Sequence, residues 1–122
     1  MRYIDGFVLV VPKKNTAKYK KMAQEAGKVW KKHGALEYVE CIGNDLNPNM
    51  GGQKIMTFPR LTKVKPSENV WYSFIIYKSK AHRDEVNKKV MKQMKKDMEK
   101  DMKMPFDVKK MAYGGFQAMV DF

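Results

Sequence analysis

A chain of 122 residues with a formal net charge of +12 and a hydrophobic fraction of 43% is long enough to fold and too apolar to be disordered. The charge comes almost entirely from lysine, with arginine only at Arg2, Arg60 and Arg83. Because specific nucleic-acid readers rely on arginine forks, specific nucleic-acid binding is disfavoured. The single cysteine, Cys41, excludes an internal disulfide. We expect one domain over residues 1–122 in the cytoplasm, without a targeting or membrane-spanning segment.

The first half of the chain predicts a strand, a helix and a second strand. Residues 3–11 are β-branched and aromatic until Pro12 blocks further pairing. Asn15 or Thr16 can cap the helix, and Gly34 can end it. Apolar side chains recur along this helix at spacings of three and four: Tyr19, Met22, Ala23, Ala26, Val29 and Trp30.

The middle of the chain contains two further strands and the connection between them. Residues 35–43 alternate, with Leu36, Tyr38, Glu40 and Ile42 on one side. Residues 44–52 are dense in turn formers and predict a loop. Residues 55–65 predict an irregular connection or a short edge segment, and residues 69–77 give the clearest strand of the sequence.

The last part of the chain predicts a long helix and a final strand. Ser79 can cap a helix that runs to about Lys100, and Pro105 ends it. Residues 110–121 follow as the last strand, where Gly114-Gly115 indicates a bulge or a close backbone approach. The order of elements predicts an α+β, ferredoxin-like βαββαβ fold with a four-stranded antiparallel sheet.

The strand at 69–77 is apolar on both sides, although two helices can cover only one face of a sheet. Val70, Tyr72, Phe74 and Ile76 fill one side, while Trp71, Ile75 and Tyr77 fill the other. An antiparallel sheet with a wet face should alternate between apolar and polar residues. We therefore expect a homodimer formed through the second sheet face.

Two patterns on the second long helix point to function. Lysines fall on one arc of the helix, which indicates either a solvated face or a docking strip for a polyanion. These lysines are Lys88, Lys89, Lys92, Lys95, Lys96, Lys100 and Lys103. Val86, Val90, Met91, Met94, Met98 and Met102 fall on the opposite arc. Arg83 and Asn87 lie on the apolar arc, so Arg83 needs an acidic partner, for which Glu40 and Asp107 are the candidates. The cluster is either a structural tie or a ligand site, with Tyr113 as a further member.

Sites for metals, cofactors and covalent catalysis are not indicated. His33, His82 and Cys41 lack ligand spacing, and Gly51-Gly52 lacks the lysine of a phosphate-binding loop. Cys41 has no obvious basic partner and fits a structural thiol better than a reactive one. We therefore expect no metal and no cofactor.

Short motifs spread along the whole chain carry a family resemblance: Tyr3-Ile4-Asp5-Gly6-Phe7-Val8, Gly34-Ala35-Leu36, His82-Arg83-Asp84 with Asn87, Met104-Pro105-Phe106-Asp107, and Tyr113-Gly114-Gly115-Phe116. Together they resemble the YbaA-like family, a domain of unknown function numbered 1428. The family resembles the dimeric α/β-barrel superfamily, in which two ferredoxin-like sheets pack face to face. That superfamily includes cofactor-free monooxygenases, haem-degrading enzymes and chlorite-converting enzymes, but a shared fold does not assign chemistry.

Two classes of function remain open. The first is binding of an unknown small molecule, or cofactor-free monooxygenase-like chemistry, in a cavity between the sheet and a helix. The ligand-binding candidates are Arg83, Asn87, Asp107, Tyr113 and Glu40. The alternative is a non-catalytic basic interaction protein that binds an acidic partner or RNA.

Overall fold

The computed structural model describes residues 1–97 and 104–122. The elements in chain order are β1 (Tyr3–Pro12), α1 (Thr16–Lys32), β2 (Glu37–Ile42), α2 (Phe58–Thr62), β3 (Glu68–Tyr77), α3 (Lys80–Asp97) and β4 (Ala112–Gln117). Single 3₁₀ turns occur at Lys13–Asn15 and Val108–Lys110. The predictions for Met98, Lys100, Met102 and Lys103 lie outside the described residues, and so does the predicted exposure of the Lys96 side chain.

The four strands form one antiparallel sheet in the order β2-β3-β1-β4. β1 is central and pairs with β3 from Tyr3 opposite Tyr77 to Pro12 opposite Glu68. β4 pairs with the first part of β1, and β2 pairs with β3 from Glu37 opposite Ile76. The predicted α+β fold with a four-stranded antiparallel sheet is confirmed, and its element order differs only by the short α2.

The helix ends follow the local sequence. Gly34 ends α1 as predicted. Its backbone φ is +113°, a value that residues other than glycine rarely adopt. At the start of α1, Asn15 makes no capping bond; its side-chain amide donates instead to the Pro105 carbonyl oxygen at 2.9 Å. The Ser79 hydroxyl caps α3 by accepting from the His82 backbone N–H at 3.1 Å. The Asn15 bond ties the start of α1 to the segment before β4.

The core lies between one face of the sheet and the helices α1 and α3. One cluster packs Tyr19 and Ala23 of α1 on Leu9, Val11 and Trp71. A second packs α3 on the other end of the sheet: Ala35, Ile75, Tyr77, Val86 and Val90. Val86 and Val90 are buried and Met94 is partly buried, as their helical spacing predicts, whereas the prediction for Met91 is wrong because its side chain is exposed.

One local prediction is wrong, and of the two alternatives for the paired glycines the structure shows the second. Residues 58–62 form the helix α2, so the predicted irregular connection or short edge segment is wrong there. Pro59 sits in its first turn, where a missing N–H costs nothing, and Thr57 caps it. The paired glycines produce no bulge, because β4 pairs with β1 in unbroken register. They allow a close approach instead, since a β-carbon at Gly115 would collide with the Tyr3 ring.

The opposite face of the sheet is apolar, and part of it is exposed. It presents Ile4, Val8, Val10, Val39, Cys41, Val70, Tyr72, Phe74, Ile76, Ala112 and Phe116. We call it the open face. At one end, Leu46 and Phe58 line a cleft with Val70 and Tyr72, so the β2–β3 connection covers that end. At the other end Phe116 is 63% exposed.

The outer surface of the helices is basic. Lys88, Lys89, Lys92 and Lys95 are exposed on α3. Lysines 18, 20, 21, 28, 31 and 32 are exposed on α1. None of the helices in residues 1–97 and 104–122 is long and apolar enough to cross a membrane.

Candidate functional site

A cavity of about 300 Å³ lies between α1, α3 and the covered face of the sheet. We call it the inner cavity. Its walls are mainly apolar: Phe7, Leu9, Met22, Ala26, Trp30, Ile75, Met94, Met104, Phe106 and Met111. Polar groups enter it from Tyr19, Tyr38, Glu40 and Ser73. A mainly apolar cavity with a few converging polar groups has the composition of small-molecule sites.

Among the described residues that line the inner cavity, Glu40 carries the only carboxylate. The alternation of β2 turns Glu40 toward the helices, and the apolar periodicity of α1 turns Tyr19 toward the sheet. The Tyr19 hydroxyl donates to Glu40 Oε2 at 2.7 Å, and the Tyr38 hydroxyl donates to Oε1 at 3.0 Å. Each carboxylate oxygen therefore accepts one tyrosine hydroxyl, which fixes the plane of the carboxylate.

Burial has the largest effect on the pKa of the Glu40 carboxyl group. Removal from water raises the pKa of Glu40, and the bonds from Tyr19 and Tyr38 partly oppose that rise. Burial, together with the Glu40 charge, also raises the pKa of both tyrosines, so their hydroxyls stay protonated and remain donors. Of the three groups, the Glu40 carboxyl therefore remains the most acidic.

A second depression of about 600 Å³ lies on the other side of Tyr38 and Glu40, between α1 and β2. We call it the outer groove. Tyr38 and Glu40 line both spaces and so form the wall between them. Gly27 lets the Tyr38 ring lie against α1, because a β-carbon there would come within 2.9 Å of a ring carbon.

Arg83 reaches the sheet, as its helical position predicts, but its predicted partners are wrong. Its Nη1 lies 3.0 Å from Asp5 Oδ1, and not near Glu40 or Asp107. Nη1 also donates to the Tyr113 hydroxyl at 2.9 Å, and the guanidinium lies over the Tyr3 ring at 4.9 Å. Asp5 is 1% exposed and the Arg83 side chain 15%. The cluster is packed, which supports a structural tie between α3, β1 and β4.

Asn87 belongs to an adjoining network instead of contacting Arg83. Its Oδ1 accepts from Trp30 Nε1 and from the Tyr77 hydroxyl, both at 3.1 Å. Trp30 Nε1 also donates to the Tyr77 oxygen at 3.1 Å. Burial raises the pKa of Tyr77, and the nearby Asp5 charge acts in the same direction. Tyr77 thus lies between the Asn87 network and the Asp5–Arg83 pair.

The remaining candidates lie apart. Asp107 is exposed, and its side chain accepts from the Lys109 backbone N–H at 3.0 Å, where it caps the 3₁₀ turn. His33 Nε2 lies 2.6 Å from Gln93 Oε1, and His82 Nδ1 accepts from the Lys78 N–H. Among the described residues no group of three or more His, Cys, Asp or Glu side chains is arranged to hold a metal ion.

The five predicted ligand-binding residues therefore separate into three places. Arg83 and Tyr113 meet, Asn87 lies next to them, and Glu40 and Asp107 are elsewhere. Sequence reasoning missed Asp5 and the two tyrosines of Glu40. The alternation of 35–43 placed Tyr38 and Glu40 on one side, and the periodicity of α1 placed Tyr19 on its apolar face. Those signals could have suggested the Glu40 site.

Comparisons with known proteins match nearly the whole chain. A family model described as "Protein of unknown function (DUF1428)" matches residues 2–108. The "Uncharacterized protein YbaA" of Escherichia coli (strain K12) is 39% identical over 121 residues, 99% of this chain and 99% of that protein. The same figures hold for the "Uncharacterized protein YbaA" of Shigella flexneri. Among solved structures, "De novo designed protein Foldit4" is 9% identical with a TM-score of 0.46, and the match covers 97% of this chain and 99% of that chain.

Proposed function

The chain belongs to the DUF1428 family, which confirms the resemblance read from its motifs, and we propose that it binds a small, mainly apolar molecule in the inner cavity. The ligand carries one hydroxyl or other hydrogen-bonding group, which contacts Glu40. The observation that carries the proposal is the Glu40 carboxylate, held by two tyrosines at the edge of an apolar space.

The hydrogen-bond capacity of Glu40 supports this role. An ionised carboxylate offers about four acceptor positions. Two of them are used by Tyr19 and Tyr38, so positions remain for a ligand O–H. The tyrosine hydroxyls also reduce the cost of burying the charge, because a buried charge requires hydrogen-bonding partners. The free protein can therefore keep the acceptor in place before the ligand arrives.

The raised pKa of Glu40 supports cofactor-free monooxygenase-like chemistry as an extension of the same site. A carboxylate of raised pKa is a better general base. Glu40 would accept the proton of a ligand hydroxyl and become neutral, which leaves an electron-rich oxyanion in the cavity. Molecular oxygen would be the co-reactant: one atom would enter the ring as a quinone carbonyl and the other would leave as water, so that 1-naphthol and oxygen would give 1,4-naphthoquinone and water. Oxygen uptake with formation of 1,4-naphthoquinone from bound 1-naphthol, and its loss on Glu40→Gln, would test this extension separately from binding.

Binding is tested by calorimetric titration with 1-naphthol and naphthalene, a pair that differs only in the hydroxyl. We expect Glu40→Gln to weaken 1-naphthol binding at least tenfold, since a hydrogen bond to a charged group contributes about 1.5–3 kcal/mol. Naphthalene binding should not change. Glu37→Gln is the control, because Glu37 lies exposed on the same strand. Equal affinities of the wild type and Glu40→Gln for 1-naphthol would contradict the assignment.

We also propose that a second copy of the chain covers the open face. The interior of this face carries no charged side chain, since Glu37 and Glu68 lie at its margins, whereas the helical surface is covered with lysine. Packing two open faces together buries apolar side chains such as Phe74 and Phe116. It also keeps the two lysine-covered surfaces on the outside of the assembly, away from each other. The resulting dimer would have the face-to-face sheets of the dimeric α/β barrel.

Phe74 and Ile75 are neighbours in β3 that point to opposite faces, which makes them a matched pair. Phe74 lies on the open face, and Ile75 is 3% exposed in the core. Phe74→Asp should give a folded monomer, and Ile75→Asp should unfold the chain. Light scattering after gel filtration measures the mass, and circular dichroism measures folding. A wild-type protein that is monomeric at micromolar concentration would refute the dimer.

The cytoplasm is the proposed location. The Cys41 thiol is exposed and is the single cysteine of the chain. In an oxidising compartment such a thiol would be open to pairing between chains before the open face, on which Cys41 lies, is covered. Immunodetection in separated cell fractions would check this, and recovery from an oxidising compartment with an intermolecular disulfide would contradict it.

A further inference from the structure

A serine interrupts the apolar and aromatic series that β3 presents to the helices. Trp71, Ile75 and Tyr77 point from β3 to the covered face of the sheet, and the alternation of the strand places Ser73 among them. Ser73 is 5% exposed and lines the inner cavity. A hydroxyl at this depth is unfavourable unless it gains a hydrogen bond.

The Ser73 hydroxyl forms no hydrogen bond with residues 1–97 or 104–122. The polar groups around it bond to one another instead, since Glu40 accepts from Tyr19 and Tyr38. In this part of the chain, Trp71 Nε1 is the unpaired side-chain atom that is also sealed from the surface. Ser73 Oγ is unpaired but not sealed, so it remains in contact with the inner cavity. The hydroxyl can therefore meet a ligand without any movement of the core.

Ser73 and Glu40 are cross-strand neighbours in the sheet. The register pairs Glu40 of β2 with Ser73 of β3, and both side chains line the inner cavity. The β-carbons of such neighbours lie about 4.5–5.5 Å apart on the same face of a sheet. The unpaired hydroxyl therefore lies beside the carboxylate that is proposed to contact the ligand. Together the two groups can contact oxygen groups on adjacent carbons of one small molecule.

We propose that Ser73 determines the specificity of the inner cavity and that the ligand carries two oxygen groups on adjacent carbons, as a catechol does. One ligand hydroxyl donates to Glu40. The second oxygen accepts from the Ser73 hydroxyl or donates to it, since a serine hydroxyl can do both. Phe7, opposite Ser73 on β1, supplies an apolar wall for the body of the ligand. This inference rests on the proposed binding function and adds the chemical class of the ligand.

The test compares 2-naphthol with 2,3-dihydroxynaphthalene, which differs by one adjacent hydroxyl, by calorimetric titration of the full chain. We expect the diol to bind the wild type about fivefold more tightly than 2-naphthol, as one additional neutral hydrogen bond allows. Ser73→Ala should remove this preference and leave the affinity for 2-naphthol unchanged. Glu40→Gln should weaken the binding of both compounds.

Ser67→Ala is the control, because Ser67 is exposed and does not line the inner cavity, and it should keep the preference for the diol. Urea denaturation gives a second readout. Since the Ser73 hydroxyl has no partner in the free protein, Ser73→Ala should be at least as stable as the wild type. A clear loss of stability, equal affinities of the wild type for the two compounds, or a preference that survives in Ser73→Ala would overturn the assignment of Ser73 alone. Failure to bind these two compounds and 1-naphthol would overturn the binding function itself.

Discussion

Replacement of Arg83 by methionine should destabilise the protein strongly, although Arg83 lies at the edge of the fold. The guanidinium is 3.0 Å from Asp5, whose side chain is 1% exposed. Methionine keeps most of the aliphatic packing but leaves the carboxylate buried without its charge partner. Breaking a buried ion pair in this way costs about 3–5 kcal/mol. We expect a loss near the lower end, because Arg83 keeps contact with solvent.

Urea denaturation followed by circular dichroism measures this loss, and a double-mutant cycle identifies its cause. Asp5→Asn with Arg83→Met should cost less than the sum of the single changes, with a coupling of about 1–3 kcal/mol. Arg2→Met is the control. Arg2 also pairs with an aspartate, Asp121, at 2.7 Å, but that pair is exposed, so little change is expected. The structural tie would be refuted if Arg83→Met were as stable as Arg2→Met and if the free-energy losses of Asp5→Asn and Arg83→Met simply added in the double variant.

Three further predictions concern other parts of the fold. Burial raises the pKa of Glu40 above its ordinary value of 4.5, so the wild-type free energy of unfolding should fall as pH rises from 4.5 through the raised pKa. In urea titrations, the free energy of unfolding of Glu40→Gln should not show this decrease with pH. A pH dependence equal to that of the wild type would contradict the raised pKa of Glu40. Gly115→Ala should cost about 1–3 kcal/mol in the same assay, because its β-carbon would collide with a tyrosine ring, whereas Gly114→Ala, whose nearest contact would be an ordinary 3.6 Å, should cost less. Exchange of Lys92 and Lys95 for glutamine should weaken salt-sensitive heparin binding without changing thermal stability; tight binding that survives physiological salt would argue against a purely solvating face.

The secondary structure and the sheet could be predicted because the relevant signals are local. The helical repeat of α1 and the alternation of residues 35–43 each follow from the geometry of a single element. The short α2 could not be predicted in the same way. It has five residues, none of them buried, and it is held by the Thr57 cap and by packing against β3. Local propensity is a weak guide for so short a helix.

The candidate site could be predicted only in part, because it depends on which elements become neighbours. The helical spacing correctly predicts that Arg83 points toward the sheet. Its partner is Asp5 because β1 lies at the centre of the sheet, which the spacing does not show. Glu40 was expected to pair with an arginine and accepts two tyrosine hydroxyls instead. The distance between α1 and β2, which brings Tyr19 to Glu40, is set by packing and is not visible in either segment alone.

The methionines of the chain report directly on whether a small molecule occupies the inner cavity. Met22, Met94, Met104 and Met111 line the cavity, while Met50, Met56 and Met119 are exposed elsewhere. A methyl NMR titration of methionine-labelled protein with 1-naphthol distinguishes the two groups. Binding in the inner cavity should cause saturable chemical-shift changes in the methyl groups of the four lining methionines and no change in the three exposed ones. Shifts confined to the exposed methionines, or no saturable shift at all, would contradict it.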